Sequence, residues 1–422
     1  MEHNQNNPQH GAQPAPKSPG LLRSSAVVSS MTFLSRIMGL VRDVCFAVYL
    51  GAAANADAFF VAFKIPNFFR RLFAEGAFAQ AFVPVLAEYQ TRQGLDGVRY
   101  LADRVAAALG TSLLLFTLLA VIGAPFVAMV FAPGWYGDSA KYALTADLIR
   151  LTFPYLFFIS LTGFAGSMLN SLGRFAVPAF TPVLLNLSLI AAAVLFAPSL
   201  DEPAYALAWG VFVAGIAQML FQLPSLMRLG VLPNPRWDWQ DEGVRKILRL
   251  MVPALFGVSV SQINLLLDTV IASFLPSGSV SWLYYSDRLV EFPLGVFGIA
   301  IATVILPSLS RLYSQSDGER FSATLDWSIR CVALIGIPAM VALVVLAQPM
   351  LATIFLYGKV TANDGAMAAL SLQAYAVGLL AFMLIKVLVP GYFSRQDTAT
   401  PVRFGIKAMA ANMVMNLLFV VP

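Results

Sequence analysis

The chain has 422 residues, of which 59% are hydrophobic and 12% charged, with a formal net charge of +5 and a mean hydropathy of +0.75. Soluble domains carry about 25% charged residues, so this balance argues against one. Apolar runs of about 20 residues recur along the whole length without the alternation of a barrel strand, which reads as an all-α polytopic membrane protein.

His3 and His10 are the only histidines and both lie in the leading tail. No intramembrane histidine is therefore available for proton relay, metal binding or acid–base catalysis. Cys45 and Cys331 lie in apolar runs without metal-ligand spacing and read as small buried side chains. With no nucleophile elbow, phosphate-binding Gly loop or zinc motif, the chain reads as not an enzyme. Its basic balance points to cytoplasmic loops and not to nucleic acid.

Residues 1–20 are polar and rich in Asn, Gln and Pro, which predicts a disordered tail without the apolar core of a signal peptide. Eleven spans are predicted after it, at about 26–50, 58–87, 103–131, 145–170, 177–197, 205–227, 249–274, 281–310, 327–352, 366–390 and 402–422. With the N-terminus inside, the inner segments hold Lys17 and Arg23; Arg92, Arg99 and Arg104; Arg174; and Arg228, Arg236, Arg245, Lys246 and Arg249. Arg311, Arg320 and Arg330, then Arg395, Arg403 and Lys407, continue the series, and the outer loops hold only Lys141 and Lys359. The positive-inside rule thus places the N-terminus in the cytoplasm.

Two parts of the sequence echo each other. Pro66 precedes GAFAQAFVPVLAEY, and Pro293 precedes GVFGIAIATVILPSLSRLY; NSLGRFAVPAFTPVLLN around Arg174 is echoed by YFSRQDTATPVRFGIK around Arg395. A parallel repeat follows: a six-helix bundle over 21–235 and a second over 236–422 with about five helices, facing each other across a central cationic cleft. The alternative is chance similarity among Pro-kinked apolar helices. A six-plus-six design needs a twelfth span, so the chain is expected to be a fragment.

Residues 24–88 carry an unusual charge load for two spans: Arg36, Arg42, Asp43, Asp57, Lys64, Arg70, Arg71 and Glu75. A charge at the centre of a span costs about 2.5–3.5 kcal/mol on insertion scales, so such groups normally face a wet cavity or a partner. At 100° per residue Asp57, Lys64 and Arg71 share a stripe, although Pro66 is expected to kink the helix. In the second half, Tyr284-Tyr285-Ser286-Asp287-Arg288 with Glu291 puts Arg288 in the span that mirrors the one holding Arg70. Arginine in excess of carboxylate points to an anionic, phosphate-bearing substrate. The alternatives are structural ion pairs, such as Arg42 with Asp43 or Asp57 with Lys64, and a voltage sensor, whose Arg spacing is absent. Asp268, with Asn264 one turn earlier, reads equally as a sodium site or as a hydrogen-bonded pair.

SSMTFLSRIMGLVRD, ADAFFVAFKIPNFFRRLFAEGAFAQAFVPVLAEY, GVSVSQIN, SGSVSWLYYSDRLVEFPLGVFGIAI and PGYFSRQDTATPV closely resemble the bacterial lipid II flippase family (MurJ, also MviN). The resemblance runs from about residue 21 to 422, within the wider group of multidrug, oligosaccharidyl-lipid and polysaccharide exporters. It implies export of the undecaprenyl-diphosphate-linked peptidoglycan precursor, lipid II, across the bacterial cytoplasmic membrane by alternating access, driven by sodium or membrane potential. It also implies a fourteen-helix fold, which would leave the last helices, with their lipid-tail groove, beyond this chain. Family cavity residues match Arg36, Arg42, Asp57, Arg70 and Arg288; Asp43, Arg71, Glu75, Asp287 and Glu291 match the surrounding motifs. Membrane lipids and cell-wall synthesis proteins are the further partners it implies. Competing readings are a drug/cation antiporter of the same fold, which would want an acidic or aromatic cleft, and a non-transporting scaffold of cell-wall synthesis.

Overall fold

The computed structural model describes residues 19–420, except for the side chains of residues 19–25, 73–75, 256–258, 260–261, 264–265, 299–300, 302–303, 417 and 419–420. The predicted tail therefore lies outside the described residues as far as residue 18. Among the described residues the fold is nearly all helix and no strand occurs. The helices are α1 (Pro19–Tyr49), α2 (Ala54–Phe69), α3 (Ala79–Ile122), α4 (Ala124–Phe131), α5 (Ser139–Thr152), α6 (Tyr155–Ser171), α7 (Ala176–Ala191) and α8 (Pro203–Arg228). They continue as α9 (Glu242–Ala272), α10 (Ser279–Pro293), α11 (Ile299–Ser314), α12 (Gly318–Val345), α13 (Ala347–Phe355), α14 (Ala362–Phe393) and α15 (Ala399–Val420). Among the described residues each predicted run falls mainly on helix, and residues 421–422 of the last lie outside them.

By length and hydropathy, six helical runs among the described residues can cross a bilayer: Ala54–Ile122, Ser139–Ser171, Ala176–Ser199, Pro203–Arg228, Gly318–Val345 and Ala362–Phe393. The first runs for 69 residues. At 1.5 Å per residue that is about 100 Å, over three times a hydrocarbon core of about 30 Å. Gly94 explains the excess, because its φ of +63° and ψ of −143° turn the chain inside α3. Only glycine takes such a φ without strain.

Prolines shape the rest. Pro66 and Pro293 are each followed by a π-helical stretch, Arg70–Phe78 and Leu294–Gly298. A proline ring has no N–H and collides with the carbonyl four residues back, so the backbone relaxes into wider turns. The two stretches lie at corresponding places in the Pro66 and Pro293 echoes.

In the first half of the sequence α1 packs on α7, α6 and α7 on α8, α2 on α5, and α3 on α6. In the second half α10, α11, α12 and α13 all pack on α14. The helix that opens the second half, α9, lies instead along Arg70–Phe78 and α3, with α15 beside it. Phe46, Phe59, Tyr155, Tyr285 and Phe355 belong to one buried cluster that joins α1, α2, α6, α10 and α13.

At the end that carries most of the Lys and Arg, polar contacts tie the α8–α9 linker and the first turns of α9 to α3. Lys246 bonds Glu88, Arg104 pairs with Asp241 at 3.2 Å, and the Asn234 N–H donates to Asp103 at 2.7 Å. The Lys246 ammonium holds the Glu88 carboxyl below the usual carboxylate range. The Asp241 side chain also accepts from the Val244 N–H and so caps α9.

Candidate functional site

The predicted site charges begin on α1 and α10, whose side chains meet. Arg42 is 8% exposed and Asp43 2%. The Arg42 guanidinium donates from Nε (2.9 Å) and Nη2 (2.7 Å) to Asp43 Oδ1, and from Nη1 to Asn186 Oδ1 on α7 at 2.9 Å. The Tyr284 hydroxyl on α10 donates to the same Asp43 Oδ1 at 2.7 Å and receives Arg42 Nη2 at 3.2 Å. Arg288, one turn further along α10, places Nε 3.7 Å from Asp43 Oδ2 and bonds Glu291 through Nη1 at 2.8 Å. Charged groups from both halves of the sequence therefore share one carboxylate.

Aromatic rings support them. Tyr284 stacks on Phe60 of α2 with centroids 4.0 Å apart, and the Arg288 guanidinium lies 4.9 Å over the Tyr284 ring. Such contacts hold a cation in place without neutralising it. One donor is left over: Arg288 Nε is buried and makes no hydrogen bond among the described residues. A buried unsatisfied donor is costly, and an anion would satisfy it.

The other predicted cations lie on α1, on α2 and in the π-helical stretch that follows it. Arg36, one α1 turn and a half from Arg42, is exposed, and its guanidinium lies against Gly295 of the second π-helical stretch. Lys64 is exposed and within electrostatic reach of Asp268, Asp287, Arg71 and Arg288. Arg70 is partly buried and its Nε donates to Asn67 at 3.3 Å, while Arg71 is exposed. Asp287 is partly buried between Glu291, Arg288, Lys64 and Arg71. The Glu75 and Asn264 side chains lie outside the described residues. Asp268 bonds Asn412 and Asn416 of α15, two partners that its own helix does not supply.

Asp57 sits apart, at the end opposite the basic linker. It is 1% exposed, and its ion-pair partner is Lys141 of α5 at 3.0 Å, where the sequence offered Lys64. Its two oxygens also accept the Gly278 N–H (2.7 Å), the Ser281 N–H (3.0 Å) and the Ser281 hydroxyl (2.7 Å). The carboxylate thus sits at the N-terminus of α10, where unpaired N–H groups favour a negative charge. Tyr285 adds a bond to the Gly51 carbonyl at 2.9 Å, and Val48 accepts the Lys359 N–H at 3.2 Å. Gly278, with φ +102°, brings the backbone so close that a Cβ would stand 2.8 Å from the Ala52 carbonyl oxygen. The two halves are closed against each other at this end.

Sequence reasoning did not single out Asn186, Lys141, Gly278 or Ser281. Asn186 was visible in principle as the lone amide of the apolar run FTPVLLNLSLIA. Lys141 was not, because its spacing placed it in an outer loop, whereas its ammonium is buried beside the Trp135 ring at 4.1 Å.

The family profile for "Lipid II flippase MurJ" matches residues 46–422. The chain belongs to the MurJ family. It is 55% identical over 406 residues to the "Probable lipid II flippase MurJ" of Vibrio cholerae, covering 94% of this chain and 77% of that one. With the "Lipid II flippase MurJ" of Burkholderia cenocepacia it shares 44% identity, covering 95% and 78%. A solved MurJ structure, described as an inward closed conformation, superposes with a TM-score of 0.81 at 27% identity over 93% of this chain and 81% of that one. A multidrug transporter of the MATE family, inward-facing, superposes at 0.66 with 14% identity, over 88% and 86%, and shows a shared fold alone. The MurJ match includes α1 from Phe46 and all of α10, and so takes in Tyr284, Arg288 and Asp57. With these likenesses and its long apolar helices, this MurJ family member is a multi-pass membrane protein.

Proposed function

We propose that this protein is a lipid II flippase, a transporter and not an enzyme, which carries the diphosphate-linked headgroup across the bacterial cytoplasmic membrane by alternating access. The family match supports the substrate, and the Arg42–Asp43–Tyr284–Arg288 cluster carries the mechanism. Asp43 Oδ1 accepts two Arg42 N–H groups and the Tyr284 hydroxyl, the set of donors that a phosphate oxygen would take. Asp43 then acts as an internal stand-in for the diphosphate. Substrate displaces it, gains Arg42, and fills the open Arg288 Nε, while Arg36, Lys64, Arg70 and Arg71 extend the positive surface toward the sugar-linked phosphate. Because α1 and α10 come from different halves, whatever occupies the site also sets how closely they approach. The basic cluster disfavours the cation-antiporter reading.

The same reading takes all eleven helical passes as transmembrane, in two facing bundles, with the basic linker in the cytoplasm and the Asp57 closure facing the periplasm. Opening the periplasmic side then requires Asp57 to leave α10. Sodium is the proposed coupling ion. One carboxylate and two amides, from Asp268, Asn412 and Asn416, suit a hard cation that prefers oxygen ligands. Lys64 lies close enough to compete with such an ion for Asp268.

The test is growth rescue in cells depleted of their own flippase. Arg42→Ala and Arg288→Ala should each abolish rescue at unchanged protein level, and full rescue by both would refute the cluster's role. In proteoliposomes, a sodium gradient should speed flipping by the unaltered protein and leave Asp268→Asn unaffected. Equal rates with and without the gradient would remove sodium from the proposal.

A further inference from the structure

A second basic feature shares no residue with the charged cluster. A cavity of about 590 Å3 opens at the basic-linker end, between the start of α1, the α6–α7 turn and the end of α8. Arg174 and Arg228 line it with Ser225, while Val27, Val177 and Leu229 form its apolar walls. No acidic side chain is among its described lining residues. Among the described residues neither guanidinium has a salt bridge or side-chain hydrogen bond, whereas Arg92, Arg99, Arg104 and Arg236 at this end each have a carboxylate partner. Gly173, at φ +74°, turns the chain so that Arg174 leads into α7, whose first turn has no side-chain cap. The uncapped turn adds its partial positive charge to that of the two arginines.

We propose that this cavity is a phosphate-binding site for the headgroup of an anionic membrane lipid. The pairing of two unmatched guanidiniums with an apolar wall fits an amphiphile, whose phosphodiester would lie between Arg174 and Arg228 and whose glycerol and upper chains would lie along Val27 and Val177. Basic pockets between helices on the inner face of membrane proteins commonly take such headgroups. Phosphate is the chemistry read from the residues. A soluble phosphate would satisfy the arginines equally but would leave the apolar wall unused. The orientation proposed above enters only in assigning the lipid to the cytoplasmic leaflet.

Native mass spectrometry of the full chain in detergent, titrated with phosphatidylglycerol or phosphatidylcholine, tests the site. Each guanidinium near an anionic headgroup is worth about a factor of five, so R174Q/R228Q should weaken phosphatidylglycerol binding roughly 30-fold and leave phosphatidylcholine unchanged. R245Q/R249Q removes the same net charge from exposed arginines of the same end outside the cavity, and should keep wild-type affinity. Inorganic phosphate at millimolar concentration is the competitor. No displacement identifies the lipid as the ligand, and displacement by phosphate alone would overturn the lipid assignment. Equal affinity in R174Q/R228Q, or the same loss in both double variants, would overturn the site itself. Thermal unfolding of each variant confirms that it is folded. Because the readout is binding, failure here leaves the flippase reading standing, and failure of flipping leaves this site standing.

Discussion

Asp57→Asn tests the closure most directly. The substitution keeps the shape of the side chain but removes the charge that Lys141 meets at 3.0 Å, in a place where both groups are nearly inaccessible. It also turns one acceptor into an amide donor facing either the Lys141 ammonium and the Gly278 N–H or the Ser281 N–H. Removing one partner of a buried pair costs about 3–5 kcal/mol, because the other charge is left without compensation. If the open arrangement lets Lys141 reach water, the lower figure, about 3 kcal/mol, appears as a shift of roughly 150-fold toward opening. Spin labels at Ala53 and Leu275, both exposed at this end, in a background with Cys45 and Cys331 changed to Ser, would report the distance across the closure. Asp57→Asn and Lys141→Met should each lengthen it, and the double variant should lie nearer the wild type than either, because no unpaired charge remains. An unchanged distance in Asp57→Asn, or single effects that simply add, would refute the closure argument.

Other outcomes follow from the same geometry. Tyr284→Phe keeps the 4.0 Å stack on Phe60 but loses the hydroxyl between Arg42 and Asp43; flipping in proteoliposomes should fall about tenfold, as expected for a hydrogen bond to a charged group. Gly278→Ala puts a Cβ 2.8 Å from the Ala52 carbonyl oxygen at a φ of +102°, so the same spin labels should move apart; retention of the wild-type distance would contradict the close approach. For Glu88, the depressed carboxyl contributes stability above its ordinary range, and that contribution is lost as pH falls through its lowered value. Glu88→Gln should therefore lower the melting temperature slightly at neutral pH, and the difference should vanish in strong acid and in about 0.5 M salt, since the pair is exposed.

Much of this was readable in advance. Helical runs followed from apolar length alone. Arg42 and Arg288 stood out because a guanidinium in an apolar run needs a reason, and the sequence pairing of Arg42 with Asp43 is present in the structure. What could not be read was partnership across distance. Asp57 could be matched with Lys64 by helical periodicity, but its nearest cation comes from α5, 84 positions away in sequence. Asp268 is matched in sequence with Asn264, whose side chain lies outside the described residues, and the amide partners that are described come from α15. Periodicity describes one helix at a time, and the contacts that position this site are made between helices. Pro66 was a visible warning that projection would fail beyond it, and the π-helical stretch Arg70–Phe78 is how it fails.

That stretch, with its counterpart Leu294–Gly298, also bears on how sequence changes would be tolerated here. A π-helical turn holds about one residue more than the α-helical turn it replaces. Deleting a single residue within Arg70–Phe78 would let one wide turn relax to an ordinary α turn, and because each completes one rotation the helix beyond would keep its phase. Phe82 and Leu86 would then stay on their buried face. The same deletion in the regular α-helix just beyond Phe78 would turn everything after it by about 100°. The two stretches are therefore the places where these helices can absorb a one-residue change of length.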